Sequence, residues 1–407
     1  MTNSTSTNKT VIVVPTYWSR PLPERWRQGD AVYDHPTALN EDDTLGRFLN
    51  SINILRQPEC EVVVLVCVTT PEIEAETVKR VRQIVASASC PVPVYLFSDS
   101  HLRQLQKTLT TAGFSNLASR LSLRGYSSIR NACLLAAQLR QAELAVLIDD
   151  DEVFEDPEFL NKARQAISAQ RPGIAGYYVE PDNQGGRTYI RERAIPFWMK
   201  FWNKFRFQNE SFRRIIGQAE PRLKVTPFAF GGNLVIHQTL FSRVPFDPLV
   251  NRGEDMDYVM NAKMFDVDFY LDNHLAITHL PPVRSHPQYR RLAEDMNRFS
   301  YQRSKLHQQR PLPGLRQISA SDFNPYPGYF LGSGFILKVI ITSLLLSLDY
   351  LSQADWRGVF GALANMRFIF SRHPAAFSRF IDFQRDWREL MTKISALSEG
   401  SFLDRVE

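Results

Sequence analysis

Short apolar runs recur along the first part of this 407-residue chain and constrain its fold more than any other feature. β-branched and other apolar residues dominate positions 11–14, 61–68, 92–97 and 144–148. Runs of this length are typical of strands that are buried on both faces of a sheet. Segments with helical spacing separate them, at positions 44–55, 72–88 and 129–139. This alternation predicts an α/β fold with a Rossmann-like, mostly parallel sheet flanked by helices.

The rest of the chain divides into regions of different pattern. Past residue 161 the periodicity is lost until segment 228–233, which turns on Gly231 and Gly232 and is expected to lead into a helix. A helix is then predicted at 258–264 and a strand at 268–271, and the apolar segment 275–279 completes this part. A Pro-Pro pair follows and marks a domain end. We therefore predict a polar leader (1–10), an α/β domain (11–285) and a mainly helical C-terminal extension (286–407).

Composition narrows the class of protein. A hydrophobic content of 44% is enough for a large core, and a net charge of +5 is too weak to indicate nucleic-acid binding. The four cysteines form no CxxC pair or zinc-type spacing, which favours a reducing compartment. The leader has no apolar core, so we expect no export signal and a cytoplasmic location.

Three consecutive carboxylates, Asp149, Asp150 and Asp151, follow the strand predicted at 144–148. Ligands of open α/β sheets bind beyond the carboxyl ends of the strands. Carboxylates at alternate positions there can hold a hard cation such as Mg²⁺ or Mn²⁺ that also contacts phosphates. A solvated acidic turn is an equally good explanation of the triplet taken alone.

A second acidic cluster, Glu254, Asp255 and Asp257, follows Gly253 at a predicted helix start. Acidic residues there are favoured by the helix dipole, but three carboxylates in four positions exceed what capping requires. One of them could act as a general base. A lone histidine such as His279 is more often a structural residue, and it becomes a candidate because a metal ion on Asp151 needs further ligands.

These features together resemble the GT-A glycosyltransferases, especially the inverting family 2 enzymes, over about residues 11–280. Residues 231–257 are similar to the β-1,4-galactosyltransferase pattern. The matching segments are VIVVPTY at 11–17, GYSSIRNA at 125–132, LIDDD at 147–151, FGGN at 230–233 and GEDMD at 253–257.

The resemblance implies a role for each matching residue. Asp255 would be the general base, with Glu254 holding the donor sugar or the acceptor. Mn²⁺ or Mg²⁺ would bind at Asp151, with Asp149 and His279 as further ligands. Nucleotide-sugar contacts would come from Pro15, Thr16, Tyr17, Arg130, Asn131, Asp149, Asp150, Gly231, Gly232 and Asn233. The glycine pair would leave room for the sugar, with an ordinary turn as the alternative.

One departure from the family leaves the base open. Many family 2 members have an acidic pair after the second strand, whereas this chain has Val-Thr-Thr-Pro at 68–71. A UDP-sugar is favoured on family frequency, with a GDP-sugar next. The long polar insert at 17–40 could supply the missing contacts.

Two segments suggest contact with a membrane. Residues 197–216 place aromatic residues on one helical face and basic residues on the rest, which is typical of an interfacial helix. A helix packed over the acceptor cleft is the alternative. Residues 330–348 are apolar apart from Lys338, which favours a packed or surface-lying helix over a true span. The two segments, with Trp198 and Trp202 as expected contacts, favour a peripheral enzyme on the inner face of the membrane that acts on a lipid or lipid-linked acceptor.

Two other classes of protein remain alternatives. A sugar nucleotidyltransferase should have a Gly-rich phosphate loop after the first strand, but no glycine precedes Gly29. A non-catalytic protein that binds nucleotide sugars or membranes on the same fold is disfavoured because Asp149, Asp151, Glu254 and Asp255 are all present.

Overall fold

The computed structural model describes residues 9–24, 26–56, 58–182, 184–282, 287–371, 373–395 and 402–406. Most of the predicted leader and the predicted boundary at 285/286 lie outside these ranges, so both stay predictions. The strands are β1 (Thr10–Ser19), β2 (Thr37–Ala38), β3 (Cys60–Val68), β4 (Val94–Phe97), β5 (Leu144–Leu147), β6 (Glu152–Val153), β7 (Gly173–Pro181), β8 (Arg187–Thr188), β9 (Leu223–Val225), β10 (Leu234–His237), β11 (Tyr270–His279) and β12 (Asp404–Val406).

Helices cover both faces of the sheet and make up most of the C-terminal part. The α-helices are α1 (Leu45–Ser51), α2 (Glu74–Ser87), α3 (Asp99–Thr111), α4 (Ser115–Ala118), α5 (Tyr126–Leu139), α6 (Phe159–Ala166), α7 (Lys204–Ile215), α8 (Gln238–Phe241), α9 (Glu254–Met264), α10 (Gln288–His307), α11 (Gly328–Leu331), α12 (Phe335–Ser352), α13 (Trp356–Ala364) and α14 (Ala376–Ile394). Short 3-10 helices lie at Ile52–Ile54, Pro71–Ile73, Phe197–Phe201, Ala320–Phe323 and Asn365–Ile369.

The strands form one large sheet in the order β12-β4-β3-β1-β5-β10-β7-β11-β6. Strand β1 is parallel to β3 and β5, and β3 is parallel to β4. Strand β10 is antiparallel to both β5 and β7, so β7 runs in the same direction as β5, and β11 is parallel to β7. The predicted fold class, a mostly parallel α/β sheet flanked by helices with a helical C-terminal part, is confirmed.

This topology brings distant segments to one edge of the sheet. The parallel strands β5, β7 and β11 end there, so Asp149, Glu180 and His279 are delivered to the same side. Strand β10 runs the other way and begins at that edge, which places Gly231 just before it. The carboxyl edge of the sheet is therefore where the predicted motifs meet.

Strand β1 continues past the point where the sequence predicted its end. It runs to Ser19, and Pro15 lies within it opposite Leu65. The Val13 carbonyl accepts a hydrogen bond from the Ile148 N–H, which follows β5. Because the backbone groups of alternate residues in a strand point to the same side, the backbone nitrogen of Pro15 also faces β5. Pairing with β5 ends at Val13, and the missing N–H of Pro15 therefore breaks no ladder hydrogen bond.

Alternate residues of the central strands face two separate hydrophobic cores. Val11 and Val13 pack with residues of α5, α9 and the C-terminal helices. Ile12 and Val14 pack with α1, α2 and α6. Burial on both faces explains why these strands are continuous apolar runs in the sequence.

Two predictions in the middle of the chain are wrong. The segment past residue 161, expected to be irregular, contains α6 and the central strand β7. The segment after Asn233, expected to be a helix, is the strand β10, followed by the short helix α8.

A buried ionic cluster joins the C-terminal helices to the α/β part. Lys305 on α10 has no exposed surface, and its ammonium group lies 2.7 Å from Asp257 and 3.0 Å from Asp247. It also donates to Asn261 at 2.9 Å. Asp257 of the acidic cluster therefore has a structural role. At the far edge of the sheet, β12 pairs with β4.

The two segments expected to contact a membrane differ from their predictions. Residues 197–216 are a 3-10 helix followed by α7, because Asn203 caps α7 by accepting from the Arg206 N–H. Trp198 and Trp202 are buried and are not available to a membrane. In the second segment, α11 and α12 are separate helices, and the Lys338 ammonium donates to the Tyr329 carbonyl at 2.7 Å.

Among the described residues, one helix, Phe335–Ser352, is long and apolar enough to cross a membrane. A third of its residues are buried inside the protein.

Candidate active site

A cleft of about 320 Å³ opens at the carboxyl edge of the sheet. Nine of the residues predicted from the sequence line it: Tyr17, Arg130, Asp149, Asp150, Asp151, Gly231, Glu254, Asp255 and His279. They come from β1, α5, the β5–β6 loop, the loop before β10, the start of α9 and the end of β11.

Arg130 connects the two acidic motifs. Its side chain is buried, with a guanidinium nitrogen 2.8 Å from Asp149 and Nε 3.5 Å from Glu254. Two of its nitrogens, Nε and Nη1, have no hydrogen-bond partner among the described residues. A buried cation with donors to spare, facing a cleft, is suited to an anionic ligand.

The three aspartates of the triplet point in different directions. Asp150 is turned into the protein, where one carboxylate oxygen accepts from the hydroxyls of Thr16 at 2.7 Å and Thr44 at 2.9 Å. Burial and the neighbouring Asp151 charge raise the pKa of Asp150 to about 8. Asp149 faces Arg130, which leaves Asp151 as the member that faces His279.

His279 lies between two carboxylates. Its Nε2 is 3.4 Å from Asp151, and its Nδ1 is 2.9 Å from Glu180. The ring also stacks on Tyr178 at 4.9 Å between centroids. Burial lowers the pKa of His279, but the hydrogen bonds to Asp151 and Glu180 outweigh it and raise the pKa to about 9.

The donor set at His279 fits a divalent cation in part. Glu180 holds Nδ1 and leaves Nε2 facing Asp151, the arrangement in which a carboxylate orients a metal-binding imidazole. The described residues contain no group of three or more His, Cys, Asp or Glu side chains that could hold a metal ion by themselves. A cation on Asp151 and His279 would therefore need oxygen atoms from a ligand.

Glycine at position 253 is required where α9 begins. Gly253 has a φ of +68°, and a Cβ atom there would lie 1.7 Å from the Arg298 guanidinium. The close turn brings Glu254 and Asp255 to the cleft at the first turn of α9. Asp255 accepts from the Met256 N–H at 2.8 Å, and burial raises its pKa.

The Gly231-Gly232 pair is held by protein contacts. A Cβ on Gly231 would lie 2.9 Å from the Arg130 guanidinium, and one on Gly232 would lie 2.2 Å from the Glu152 carboxylate. Gly231 also lines the cleft, whereas Gly232 does not. The need for glycine here comes from the side chains packed behind the loop.

Five of the predicted contacts do not line the cleft. Pro15 and Thr16 lie within β1, and Gly232 packs against Glu152. Asn131 donates to the Phe246 carbonyl and accepts from its N–H. Asn233 donates to the Tyr177 and Leu275 carbonyls, and so joins the loop before β10 to β7 and β11.

The polar insert after β1 covers the ends of the strands. Its Tyr33 packs against Tyr17 and Tyr126, with ring centroids 4.7 and 5.5 Å apart. The neighbouring Asp34 accepts from Arg252 at 3.0 Å. The insert therefore forms one wall of the cleft beside the position where β1 and β3 end.

No protein-family model and no curated protein matches the chain. Similar solved structures include a mannosyltransferase from Pyrobaculum calidifontis in complex with GDP-Man and Mn²⁺, at 14% identity and a TM-score of 0.46, covering 96% of this chain and 86% of that one. Another is S. aureus TarS 1–349 in complex with UDP-GlcNAc, at 15% identity and a TM-score of 0.41, with coverages of 95% and 92%. A third is glucosyl-3-phosphoglycerate synthase from Mycobacterium tuberculosis, at 14% identity and a TM-score of 0.37, covering 72% of this chain and 77% of that one. At these values the similarities establish no activity for this chain.

Several cleft residues were not predicted from the sequence. Glu180 and Tyr178 belong to β7, whose sequence has no clear strand pattern. Their position beside His279 could therefore not be predicted from the sequence. A second group, Lys204, Arg291 and Arg298, comes from α7 and α10. Only the basic residues of segment 197–216 gave any sequence signal for this group.

Proposed function

We propose that the protein is a glycosyltransferase that moves a sugar from a nucleotide-diphosphate donor to an acceptor hydroxyl. One observation carries the proposal: Arg130 contacts both Asp149 and Glu254 within a single cleft. Asp151, His279 and Asp255 line the same cleft. This arrangement offers an anion-binding cation, a metal-binding pair and a carboxylate base within one cavity.

The donor would bind at the carboxyl edge of the sheet. Its diphosphate would face Arg130, and its nucleoside would lie along Tyr17 and the insert residue Asp34, which line the same cleft. Asp149 would contact the ribose. A UDP-sugar remains the favoured donor and a GDP-sugar the next. The likeness of residues 231–257 to the β-1,4-galactosyltransferases stays a prediction.

A divalent cation, Mn²⁺ or Mg²⁺, would be held by Asp151 and His279, with phosphate oxygens of the donor completing its coordination. When bound, it would supply positive charge to the departing diphosphate. Glu180 orients His279 for this purpose through the hydrogen bond to Nδ1.

Asp255 would act as the general base in a single displacement. It takes the proton of the acceptor hydroxyl while that oxygen forms a bond to the anomeric carbon. The bond between the anomeric carbon and the diphosphate breaks, and its electron pair leaves with the diphosphate, so the anomeric configuration inverts. Burial raises the pKa of Asp255, which makes its carboxylate a stronger base.

We expect Asp255→Asn to lower turnover by roughly 10²- to 10⁴-fold, since this is the usual span for the loss of a general base. Sugar transfer from radiolabelled UDP- and GDP-sugars to candidate acceptors measures it. Asp266→Asn, at an exposed position just after α9, is the matched control and should leave turnover unchanged. Turnover of Asp255→Asn close to wild type would remove Asp255 from this role.

The proposal includes contact with the inner face of a membrane and a lipid or lipid-linked acceptor. Exposed apolar side chains on α12, among them Ile336, Leu337 and Leu348, support it. Phe197 and Phe201 of the 3-10 helix beside α12 are also exposed. These residues replace the buried Trp198 and Trp202 as the expected membrane contacts.

A further inference from the structure

A group of basic side chains lines the cleft on the side formed by α7, α10 and the loop before α9. We call it the basic corner and define it as Lys204, Arg252, Arg291 and Arg298. The donor site proposed above uses none of these four residues. They share the cleft with Asp255, the proposed base, so they surround the space open to an acceptor.

Three members of the basic corner form ion pairs with carboxylates. Lys204 and Arg298 share one carboxylate, Asp295, each at 2.9 Å. Arg252 pairs with Asp34 at 3.0 Å and with Glu294. Lys204, Arg298 and Arg252 thus each have a carboxylate partner, and Asp255 places a further negative charge near Arg298.

Arg291 is the member of the basic corner that has no carboxylate partner among the described residues. Within the described part of the chain its guanidinium makes no hydrogen bond or ion pair, although it is half-buried and lines the cleft. It lies in the first turn of α10, which has no acidic residue to satisfy the positive end of the helix dipole. Five N–H donors are therefore available at a helix end that already favours an anion.

Arg298 provides a second, independent hydrogen-bond donor in the basic corner. Its side chain is only 5% exposed, yet its Nε has no hydrogen-bond partner among the described residues. An unsatisfied buried donor is costly unless a ligand supplies the acceptor.

An apolar groove continues from the basic corner toward the exposed surface of the 3-10 helix 197–201. Lys204, Arg252 and Arg291 line this groove as well as the cleft, together with the apolar residues Trp198, Met199 and Leu292. A ligand with a charged group at Arg291 would have room for an apolar portion beside it.

We propose that the basic corner binds an anionic group of the acceptor, a phosphate or a group of similar charge, next to the hydroxyl that is glycosylated. The inference rests on the proposed function, because that function makes Asp255 the base that faces the acceptor. The anionic group could belong to a soluble phosphate ester or to a lipid headgroup that continues into the apolar groove.

Titration of the full-length, metal-free protein with inorganic phosphate, followed by ³¹P NMR, tests this proposal. Arg291→Ala should weaken phosphate binding by about 10- to 100-fold, because this is the usual contribution of a charge-assisted hydrogen bond to affinity. Arg290→Ala is the matched control, since it removes the same charge from the same turn of α10 but its guanidinium faces Trp26. We expect a change of less than about 2-fold for the control.

Competition with the bound phosphate then distinguishes the two sources. Displacement by glycerol 3-phosphate indicates a soluble acceptor, and displacement by phosphatidylglycerol vesicles alone indicates a lipid headgroup. Either result supports the proposal. Displacement by neither, or equal phosphate affinity in Arg291→Ala and Arg290→Ala, would overturn it.

Donor binding by the wild-type protein separates this inference from the proposed function. If phosphate binds at Arg291 but no nucleotide sugar binds with Mn²⁺, the proposed function and the acceptor role are both overturned, and an anion site remains. If a nucleotide sugar binds but phosphate does not, only the basic corner loses its role.

Discussion

At the residue scale, each aspartate of the triplet 149–151 has a different partner. Asp149 faces Arg130, Asp150 faces two threonine hydroxyls, and Asp151 faces His279. An acidic triplet in the sequence gives no way to separate these three roles, because neighbouring residues in a turn point in directions set by their partners. Thr44 lies 106 positions from Asp150, which it binds. Glu180 lies 99 positions from His279, the partner of Asp151.

Glu254 gives a prediction about pH. Burial and the adjacent charge of Asp255 raise its pKa to about 7, against 4.5 for an ordinary glutamate. The folded state therefore binds the Glu254 proton more tightly than the unfolded chain, so this residue lowers the free energy of unfolding as pH rises from about 4.5 to about 7. Above that range its contribution is constant.

Glu254→Gln should remove this decrease in the free energy of unfolding. We expect the stability of the variant relative to wild type to increase by about 1–3 kcal/mol between pH 5 and pH 8, measured by urea unfolding in EDTA. The exposed Glu192→Gln serves as the control and should show no such trend. A difference between Glu254→Gln and wild type that is the same at both pH values would contradict the account.

At the element scale, the sequence predicted the strands β1, β3, β4 and β5 from their continuous apolar runs, but it predicted a helix at β10 and missed β7, which depends on glycine. Strand β7 contains Gly173 and Gly176, where a Cβ atom would lie 2.6 Å from the Phe269 ring and 2.2 Å from the Leu275 carbonyl. These glycines allow β7 to pack closely against neighbouring segments. Such tertiary contacts leave no periodic pattern, so Glu180 could not be assigned to the site in advance.

Periodicity also misses breaks within a segment. The 100° spacing across 197–216 suggested one continuous helix, but the capping side chain of Asn203 starts a new helix there. The break turns Trp202 inward against Phe330 and Phe299, and α7 presents Phe205 and Phe212 to the cleft. Helix α7 therefore forms part of the cleft wall.

The connection between α9 and α10 gives a prediction about stability. Lys305→Met would leave Asp257 and Asp247 buried without their cation, and we expect a loss of about 3–5 kcal/mol in the free energy of unfolding. Arg385→Ala breaks an exposed ion pair on α14 and should cost less than about 1 kcal/mol. Chemical denaturation measures both, and equal losses would show that the buried cluster does not join these helices.

At the scale of the whole molecule, the site depends on strand direction. Because β5, β7 and β11 are parallel and β10 is antiparallel between β5 and β7, four loops far apart in sequence meet at one edge. The alternation of strands and helices was sufficient to predict that the acidic triplet would lie at that edge. The walls contributed by α7 and α10 come from regions without strand signals, so the basic corner was beyond sequence analysis.

The apolar surface of α12 gives a prediction for the whole molecule. Leu337 and Leu348 are 60% and 55% exposed. The full chain should co-sediment with phosphatidylglycerol vesicles, and replacing both leucines with serine should weaken this by at least about 10-fold, because each buried leucine contributes about 1.5–3 kcal/mol. Leu249→Ser, at an exposed leucine before α9, is the control. A wild-type chain that stays in solution beside the vesicles would contradict membrane contact.

The most direct test of the central claim is a thermal-unfolding screen of UDP- and GDP-sugars with and without Mn²⁺. A ligand at about 100 times its Kd stabilises the folded state by about 2.7 kcal/mol, which raises the melting temperature measurably. We expect a metal-dependent shift with one nucleotide sugar that disappears in Asp151→Ala. No shift with any nucleotide sugar, or an equal shift in Asp151→Ala, would contradict it.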